Sequence, residues 1–124
     1  MKIIKSALLS TATLCLAVSF AFAGAGDAAK GKALFNDPNL GGAQGGKSCG
    51  TCHPDGKGLE KVAGKKEFNL GGKIQKSLEE AINMCVENAI KGRALDPKSD
   101  QMKDLIAYIN SLKGKAAEKI KKAD

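Results

Sequence analysis

Two cysteines and a histidine stand together near the middle of the chain, in the order Cys49-Gly50-Thr51-Cys52-His53. The two-residue spacer lets one tight turn present both thiols along a single edge of a cofactor, and the adjacent histidine can bind a metal. This is the attachment pattern of c-type haem, in which the thiols add across the vinyl groups and the histidine becomes the proximal iron ligand. The spacing therefore predicts one covalent haem c held by Cys49, Cys52 and His53.

Three other kinds of site use the same residue types. A zinc site built from Cys49, Cys52, His53 and Cys85 would need an adjacent cysteine and histidine as two ligands of one tetrahedral ion, and the usual paired knuckles are missing. A thioredoxin-like redox pair needs a strand-helix-strand setting, which the sequence does not indicate. A disulfide between Cys49 and Cys52 would leave His53 unexplained. Haem is the interpretation that uses the whole motif.

The first 23 residues have the layout of a secretory signal. Lys2 and Lys5 form a basic start, an apolar run without acidic residues covers 7–20, and Ala21-Phe22-Ala23 ends it with small residues where a signal peptidase reads. The run is short for a membrane-spanning helix, although an uncleaved anchor is the alternative. We therefore predict a signal over 1–23, a domain over 24–124 with a basic tail from about residue 113, no integral membrane segment after cleavage, and a periplasmic or otherwise exported bacterial protein.

The net charge indicates which kinds of partner the chain could bind, and the composition limits the size of its core. Loss of Lys2 and Lys5 with the signal lowers the formal net charge from +7 to +5. This modest basicity suits docking to an acidic redox partner or to anionic lipid headgroups, and it does not indicate nucleic acid. Because only Phe35, Phe68 and Tyr108 remain as aromatic residues, the chain alone would build a thin core, and a haem would fill the missing space.

Helical patterns lie on both sides of the motif. Three helices are predicted, each after a capping residue: 28–36 after Asp27, 78–91 after Ser77, and 100–112 after Ser99. The last helix has an apolar stripe at helical spacing, formed by Met102, Leu105, Ile106, Ile109 and Leu112. No strand pattern is visible. We therefore expect an all-α domain in which the lysine- and glycine-rich residues 54–72 follow one edge of the cofactor.

Three segments resemble small class I cytochromes c. Ala28 to Phe35 resembles their first helix, Cys49 to His53 matches their haem attachment site, and Leu105 to Ile109 resembles their last helix. The resemblance implies the class I cytochrome c fold, with three to five helices wrapped around one covalently bound haem. It also implies that Gly31 and Phe35 meet Tyr108 where the first and last helices cross.

The sequence departs from that family at two places. The family usually has Gly-Pro after the motif, and the proline carbonyl accepts the proton on the far nitrogen of the histidine. No proline follows here at that place, so we look for a backbone carbonyl between residues 56 and 64. The family also usually supplies a methionine ligand from the loop before the last helix, and residues 92–98 contain none.

The sixth iron ligand must be a residue other than histidine, because His53 is the only one. The sulfur candidates are Met84, Cys85 and Met102. On a helix that turns about 100° per residue, Cys85 shares a side with apolar residues such as Ile82, whereas Met84 falls on the polar side. Met102 lies in the stripe of the last helix, where ordinary core packing explains it.

A second resemblance bears on this choice. Asn83-Met84-Cys85-Val86-Glu87 and the residues after it resemble the segment that holds the axial cysteine in thiosulfate dehydrogenases and related sulfur-oxidising cytochromes. Arginine usually precedes that cysteine, whereas Met84 precedes it here. The resemblance implies Cys85 as the first choice of sixth ligand, with Met84 second and Met102 or an exchangeable site after them. Methionine favours a higher reduction potential than an anionic thiolate.

Together these features predict periplasmic electron transfer by a monomer that is not an enzyme, with one haem c cycling between Fe(II) and Fe(III). Redox partner proteins would dock at the haem edge through weak, charge-guided contacts. The lysines proposed for that rim are Lys47, Lys57, Lys65, Lys66 and Lys73. The alternative is a haem subunit or small enzyme in the oxidation of sulfur compounds such as thiosulfate.

Overall fold

The computed structural model describes residues 24–121, so the predicted signal lies outside the described residues. The α-helices of this part are α1 (Ala28–Phe35), α2 (Cys49–Cys52), α3 (Leu78–Asn88) and α4 (Asp100–Lys121). The connections contain two short 3-10 turns, Leu40–Gly42 and Pro54–Gly56, and a hairpin of strands β1 (Phe68–Leu70) and β2 (Lys73–Gln75). Within residues 24–121, no helix combines the length and apolar character that crossing a membrane requires.

The predicted capping residues begin the three longer helices. The side chain of Asp27 accepts hydrogen bonds from the N–H groups of Ala29 (2.8 Å) and Lys30 (3.1 Å), and these bonds lower the pKa of its carboxyl group. Ser77 and Ser99 each accept a hydrogen bond from the N–H group three residues further on, at 3.1 and 3.2 Å. Each bond satisfies a backbone donor that the first helical turn leaves free. The starts of α1, α3 and α4 are therefore confirmed.

The helices α1 and α4 pack closely against each other and form the centre of the core. Gly31 lies at their crossing, where a Cβ atom would overlap the backbone carbonyl of Asp104 and stand 2.8 Å from the Cβ of Tyr108. The rings of Phe35 and Tyr108 meet edge to face, with their centroids 5.1 Å apart and their planes at 62°. The predicted meeting of Gly31 and Phe35 with Tyr108 is confirmed.

Four of the five residues in the predicted apolar stripe of α4 are buried and Ile106 is partly buried, and the helix is longer than expected. Met102, Leu105, Ile109 and Leu112 are each at most 5 % exposed. The helix does not end at about residue 112 but continues through Gly114 to Lys121. A glycine inside a helix costs only about 1 kcal/mol relative to alanine, so it weakens a helix without ending it.

The expectation that the domain has no strands is wrong. Phe68 pairs with Gln75 and Leu70 with Lys73 in an antiparallel ladder, and Gly71 and Gly72 form the turn with φ of 59° and 82°. A two-residue turn with positive φ at both positions is typical of a tight hairpin, and glycine adopts it freely. Strands of three residues are too short to show an alternation of apolar and polar residues. The glycine pair was therefore the sequence feature that indicated a hairpin.

The helix α3 ends three residues before its predicted end. Lys91 adopts a left-handed conformation with φ of 62°, and the N–H of Gly92 donates to the carbonyl of Val86 at 2.8 Å. A left-handed residue just after a helix, with a hydrogen bond back to a carbonyl of its last turn, is a common way for a helix to end. Lys91 therefore lies in the turn after α3.

We expect Gly31→Ala to lower the free energy of unfolding by roughly 1–3 kcal/mol, because the added methyl group forces α1 and α4 apart at a packed crossing. Gly114→Ala is the matched control, since its Cβ meets nothing within 4 Å. The control should raise stability by roughly 0.5–1 kcal/mol, the usual gain inside a helix. Denaturant unfolding of the haem-loaded proteins, followed by circular dichroism, measures both. Equal effects of the two substitutions would contradict the close crossing.

Candidate cofactor site

The Cys-x-x-Cys-His motif folds into one helical turn. The helix α2 contains both motif cysteines, and the N–H of His53 donates to the carbonyl of Cys49 at 2.9 Å. The hydroxyl of Thr51 accepts a hydrogen bond from the N–H of Ser48 at 2.9 Å, which closes the start of the turn. As a result Cys49, Cys52 and His53 all line the same cavity.

The spacer residue Gly50 fixes this turn against α1. A Cβ atom at Gly50 would overlap Oδ1 of Asn36, the residue that ends α1. The amide nitrogen of Asn36 donates in turn to the carbonyl of Lys32 at 2.9 Å, so the side chain is held in place. The motif therefore lies close against the end of α1, and this close approach requires a residue without a side chain at position 50.

The ring of His53 is oriented by a backbone carbonyl. Its Nδ1 lies 3.0 Å from the carbonyl oxygen of Lys57, which the turn Pro54–Gly56 brings back towards the ring. Gly56 makes this turn with φ of 74° and lies against the side chain of Leu112 in α4. With its proton on Nδ1, the imidazole keeps the lone pair of Nε2 for a metal. The acceptor expected between residues 56 and 64 is thus the carbonyl of Lys57.

A cavity of about 390 Å³ extends from the motif to α3. This volume falls within the range of roughly 300–1,000 Å³ that is typical of cofactor sites. Its walls are mainly apolar and come from the segment after the motif and from the faces of α1, α3 and α4. These apolar residues are Phe35, Leu59, Val62, Phe68, Leu70, Leu78, Ala81, Ile82, Ala89, Ile90, Leu105 and Ile109. The segment 54–72, predicted to follow one edge of the cofactor, contributes four of them.

The structure separates the three candidate sulfur ligands. Cys85 lines the cavity together with the motif thiols. Met84 lies instead in a separate cleft on the polar side of α3, beside Glu80, and its sulfur accepts a hydrogen bond from Nε2 of Gln75 at 3.2 Å. Met102 is fully buried in the core and is not part of the cavity wall. The helical periodicity therefore predicted correctly which sides of α3 carry Cys85 and Met84.

The cavity keeps its buried thiols in the neutral form. Burial raises the pKa of Cys49 to about 11, and the nearby thiol of Cys85 adds to this rise. Burial also raises the pKa of Cys85, with a further contribution from Cys52. The apolar walls thus disfavour a free thiolate, and a metal ion would have to displace the proton of any thiol that binds it.

The arrangement of these residues fits a haem better than the alternatives. Over residues 24–121, no group of three or more His, Cys, Asp or Glu side chains converges to hold an ion. The proposed zinc ligands are instead spread around the cavity, and Cys49 and Cys52 carry free thiols. Two thiols and an oriented histidine at one wall, with a third sulfur on α3, suit a flat cofactor that is attached at its edge and ligated at its metal.

These features define a c-type cytochrome. Comparison with protein families gives a match to the model described as SoxA/TsdA, cytochrome c domain, over residues 30–115. The chain therefore belongs to this family and is a small class I c-type cytochrome related to the cytochromes of thiosulfate oxidation. Neither the curated proteins nor the solved structures gave a match. Membership of the family carries covalent haem c and haem-based electron transfer with it.

Sequence reasoning missed one contributor to the site and the conformation of another. Asn36 lies so close to Gly50 that a larger residue would not fit there, and the sequence does not show that these two residues meet. The strand β1 brings Phe68 and Leu70 to the cavity wall in an extended conformation. The pair Gly71-Gly72 was the only available signal for that hairpin.

Proposed function

We propose that this chain is a monomeric electron carrier that works outside the cytoplasm with a single haem c. In this proposal Cys49 and Cys52 attach the haem, His53 is the proximal ligand and Cys85 is the sixth ligand. The supporting observation is the shared cavity, since these four residues line one set of apolar walls. When bound, the haem supplies a reversible one-electron couple.

The protein residues set the properties of that couple. The carbonyl of Lys57 holds the Nδ1 proton of His53, which fixes the ring and makes its other nitrogen a better ligand. A thiolate from Cys85 would stabilise the oxidised metal and lower the reduction potential. Ile82 and Leu105 contribute apolar wall to the cavity.

The surface beside the cavity supports docking to an acidic partner. The proposed rim lysines are all exposed. Lys65 lies on the cavity wall together with Glu67, whereas Lys73 lines the separate cleft beside Met84. Ile74 is 63 % exposed and pairs in the hairpin with Asn69, another residue of the cavity wall. Exposed lysines around one apolar side chain suit a brief, charge-guided encounter with a redox protein.

A second candidate function is favoured by the family match and by the position of Cys85. In this alternative the chain is a haem subunit or small enzyme in the oxidation of sulfur compounds such as thiosulfate. We prefer the carrier because the sequence has one Cys-x-x-Cys-His motif and one histidine, which provide for a single haem. Thiosulfate-dependent reduction of ferricyanide by the purified holoprotein would favour the enzyme, and its absence the carrier.

We expect the protein produced in a bacterium that matures cytochromes c to have the mass of residues 24–124 plus one haem. Intact-mass spectrometry measures the cleavage site, and the pyridine haemochrome spectrum gives the haem content per chain. The double variant Cys49→Ala, Cys52→Ala should lose all covalent haem, whereas Cys85→Ala should retain it. A mass that still includes Met1 to Ala23, or more than one haem per chain, would contradict the proposal.

Cys85→Ala should change the ligand-field spectrum of the oxidised protein and raise its reduction potential by on the order of 0.1 V, a fraction of the roughly 0.8 V that axial ligands span. Met84→Leu is the matched control, because the Met84 sulfur faces a separate cleft. Low-temperature electron paramagnetic resonance and potentiometric titration measure these effects. An unchanged spectrum in Cys85→Ala, or a change confined to Met84→Leu, would refute ligation by Cys85.

Lys65→Glu should slow oxidation of the reduced protein by ferricyanide by roughly 2–10-fold at low ionic strength, because it replaces an attractive charge on the cavity wall with a repulsive one. The same charge reversal at Lys98, an exposed residue that is not part of the cavity wall, is the control and should have a smaller effect. Stopped-flow absorbance at several salt concentrations measures both rates. Equal rates for the two variants would argue against a basic docking rim at the cavity.

A further inference from the structure

One side chain of α3 fixes the loop that follows this helix. The amide nitrogen of Asn83 donates to the carbonyl of Leu95 at 2.8 Å, and its Oδ1 accepts from the N–H of Leu95 at 2.8 Å. The side chain thus pairs with both backbone groups of one residue, as a neighbouring strand would. Leu95 is only 8 % exposed, so these groups depend on Asn83 for their hydrogen bonds.

The helix α3 needs support of this kind because of where the cavity lies. The helices α1 and α4 pack along each other, whereas α3 meets α4 at few points. On its other apolar side α3 faces the cavity through Ile82 and Cys85, where no protein atoms fill the space. Besides its few contacts with α4 and the hairpin, α3 is held by hydrogen bonds on the side that does not face the cavity.

Hydrogen bonds on both sides enclose the helical turn that carries Cys85. After the turn, the carbonyl of Cys85 accepts from the N–H of Ala89 at 2.9 Å, and the carbonyl of Val86 accepts from Gly92 at 2.8 Å. The chain then reverses, and the N–H of Arg93 donates to the carbonyl of Gly41 at 2.8 Å. Two residues later it returns to Asn83, so residues 83–95 form a closed loop of hydrogen-bonded structure.

We propose that Asn83 is a positioning residue for Cys85. By holding Leu95, it keeps the turn of α3 in the orientation in which the Cys85 sulfur lines the cavity. It acts through the helix, since Asn83 lines the separate cleft beside Met84 and is not part of the cavity wall. The inference rests on the proposed ligation by Cys85.

The test compares Asn83→Ala with Asn88→Ala in the haem-loaded protein. Asn88 donates to the carbonyl of Met84 within α3 at 2.9 Å, so the control removes an amide hydrogen bond from the same helix without releasing the loop. Asn83→Ala should show a second ligand-field form in the oxidised spectrum and bind imidazole roughly tenfold more tightly, as loss of a residue that orients a ligand allows. Asn88→Ala should retain the parental spectrum and imidazole affinity.

The outcomes distinguish this inference from the ligation on which it rests. If Cys85→Ala changes the spectrum but Asn83→Ala leaves spectrum and imidazole affinity unaltered, Asn83 supports stability only and the inference is wrong. If Cys85→Ala changes nothing, the ligation itself fails. If the Asn83→Ala protein does not accumulate, Asn83→Asp replaces it in the test, with the oxidised spectrum and the imidazole affinity as the measurements. This variant keeps the acceptor for the N–H of Leu95 and loses the donor to the Leu95 carbonyl.

Discussion

The structure depends on keeping one apolar cavity open inside a small domain. Interiors of this size normally gain stability by filling space with large side chains, and this chain has few of them. The close crossing of α1 and α4 at Gly31 concentrates the packing on one side, which leaves the motif, β1 and α3 to form walls. A haem in this cavity would complete the core, so the same residues serve folding and function.

The nitrogen of His53 and the sulfur of Cys85 differ in how ready they are to bind a metal. The ring of His53 is already oriented for a metal, because the carbonyl of Lys57 lies within hydrogen-bond distance of its Nδ1. Burial raises the pKa of the Cys85 thiol and so favours its neutral form, whereas the charge of a bound metal would favour the thiolate. An anionic ligand in apolar surroundings favours the oxidised state of the metal, which is a property that a carrier accepting electrons at low potential would need.

The sequence predicts those features that depend on local patterns. The motif spacing places Cys49 and His53 on one turn, capping residues mark the helix starts, and the helical period separates Cys85 from Met84. Features that depend on distant parts of the chain were not predictable. The carbonyl of Lys57 reaches His53 because Asp55 and Gly56 both adopt positive φ. The Asp-Gly pair favours such a turn, but it does not specify that the turn brings a carbonyl back to the histidine. The pairing of Asn83 with Leu95 joins residues that only the reversal after α3 brings together.

The place of the sixth ligand in the fold has a consequence for function. A ligand on a loop can move away from the metal and open a position for a substrate, whereas Cys85 belongs to a helical turn that is closed by hydrogen bonds on both sides. With Cys85 as the ligand, the protein around the metal would rearrange little when the charge of the metal changes. Such rigidity favours rapid electron exchange and hinders the binding of a sulfur substrate at the metal. The way in which α3 is held therefore suits the electron carrier that we propose.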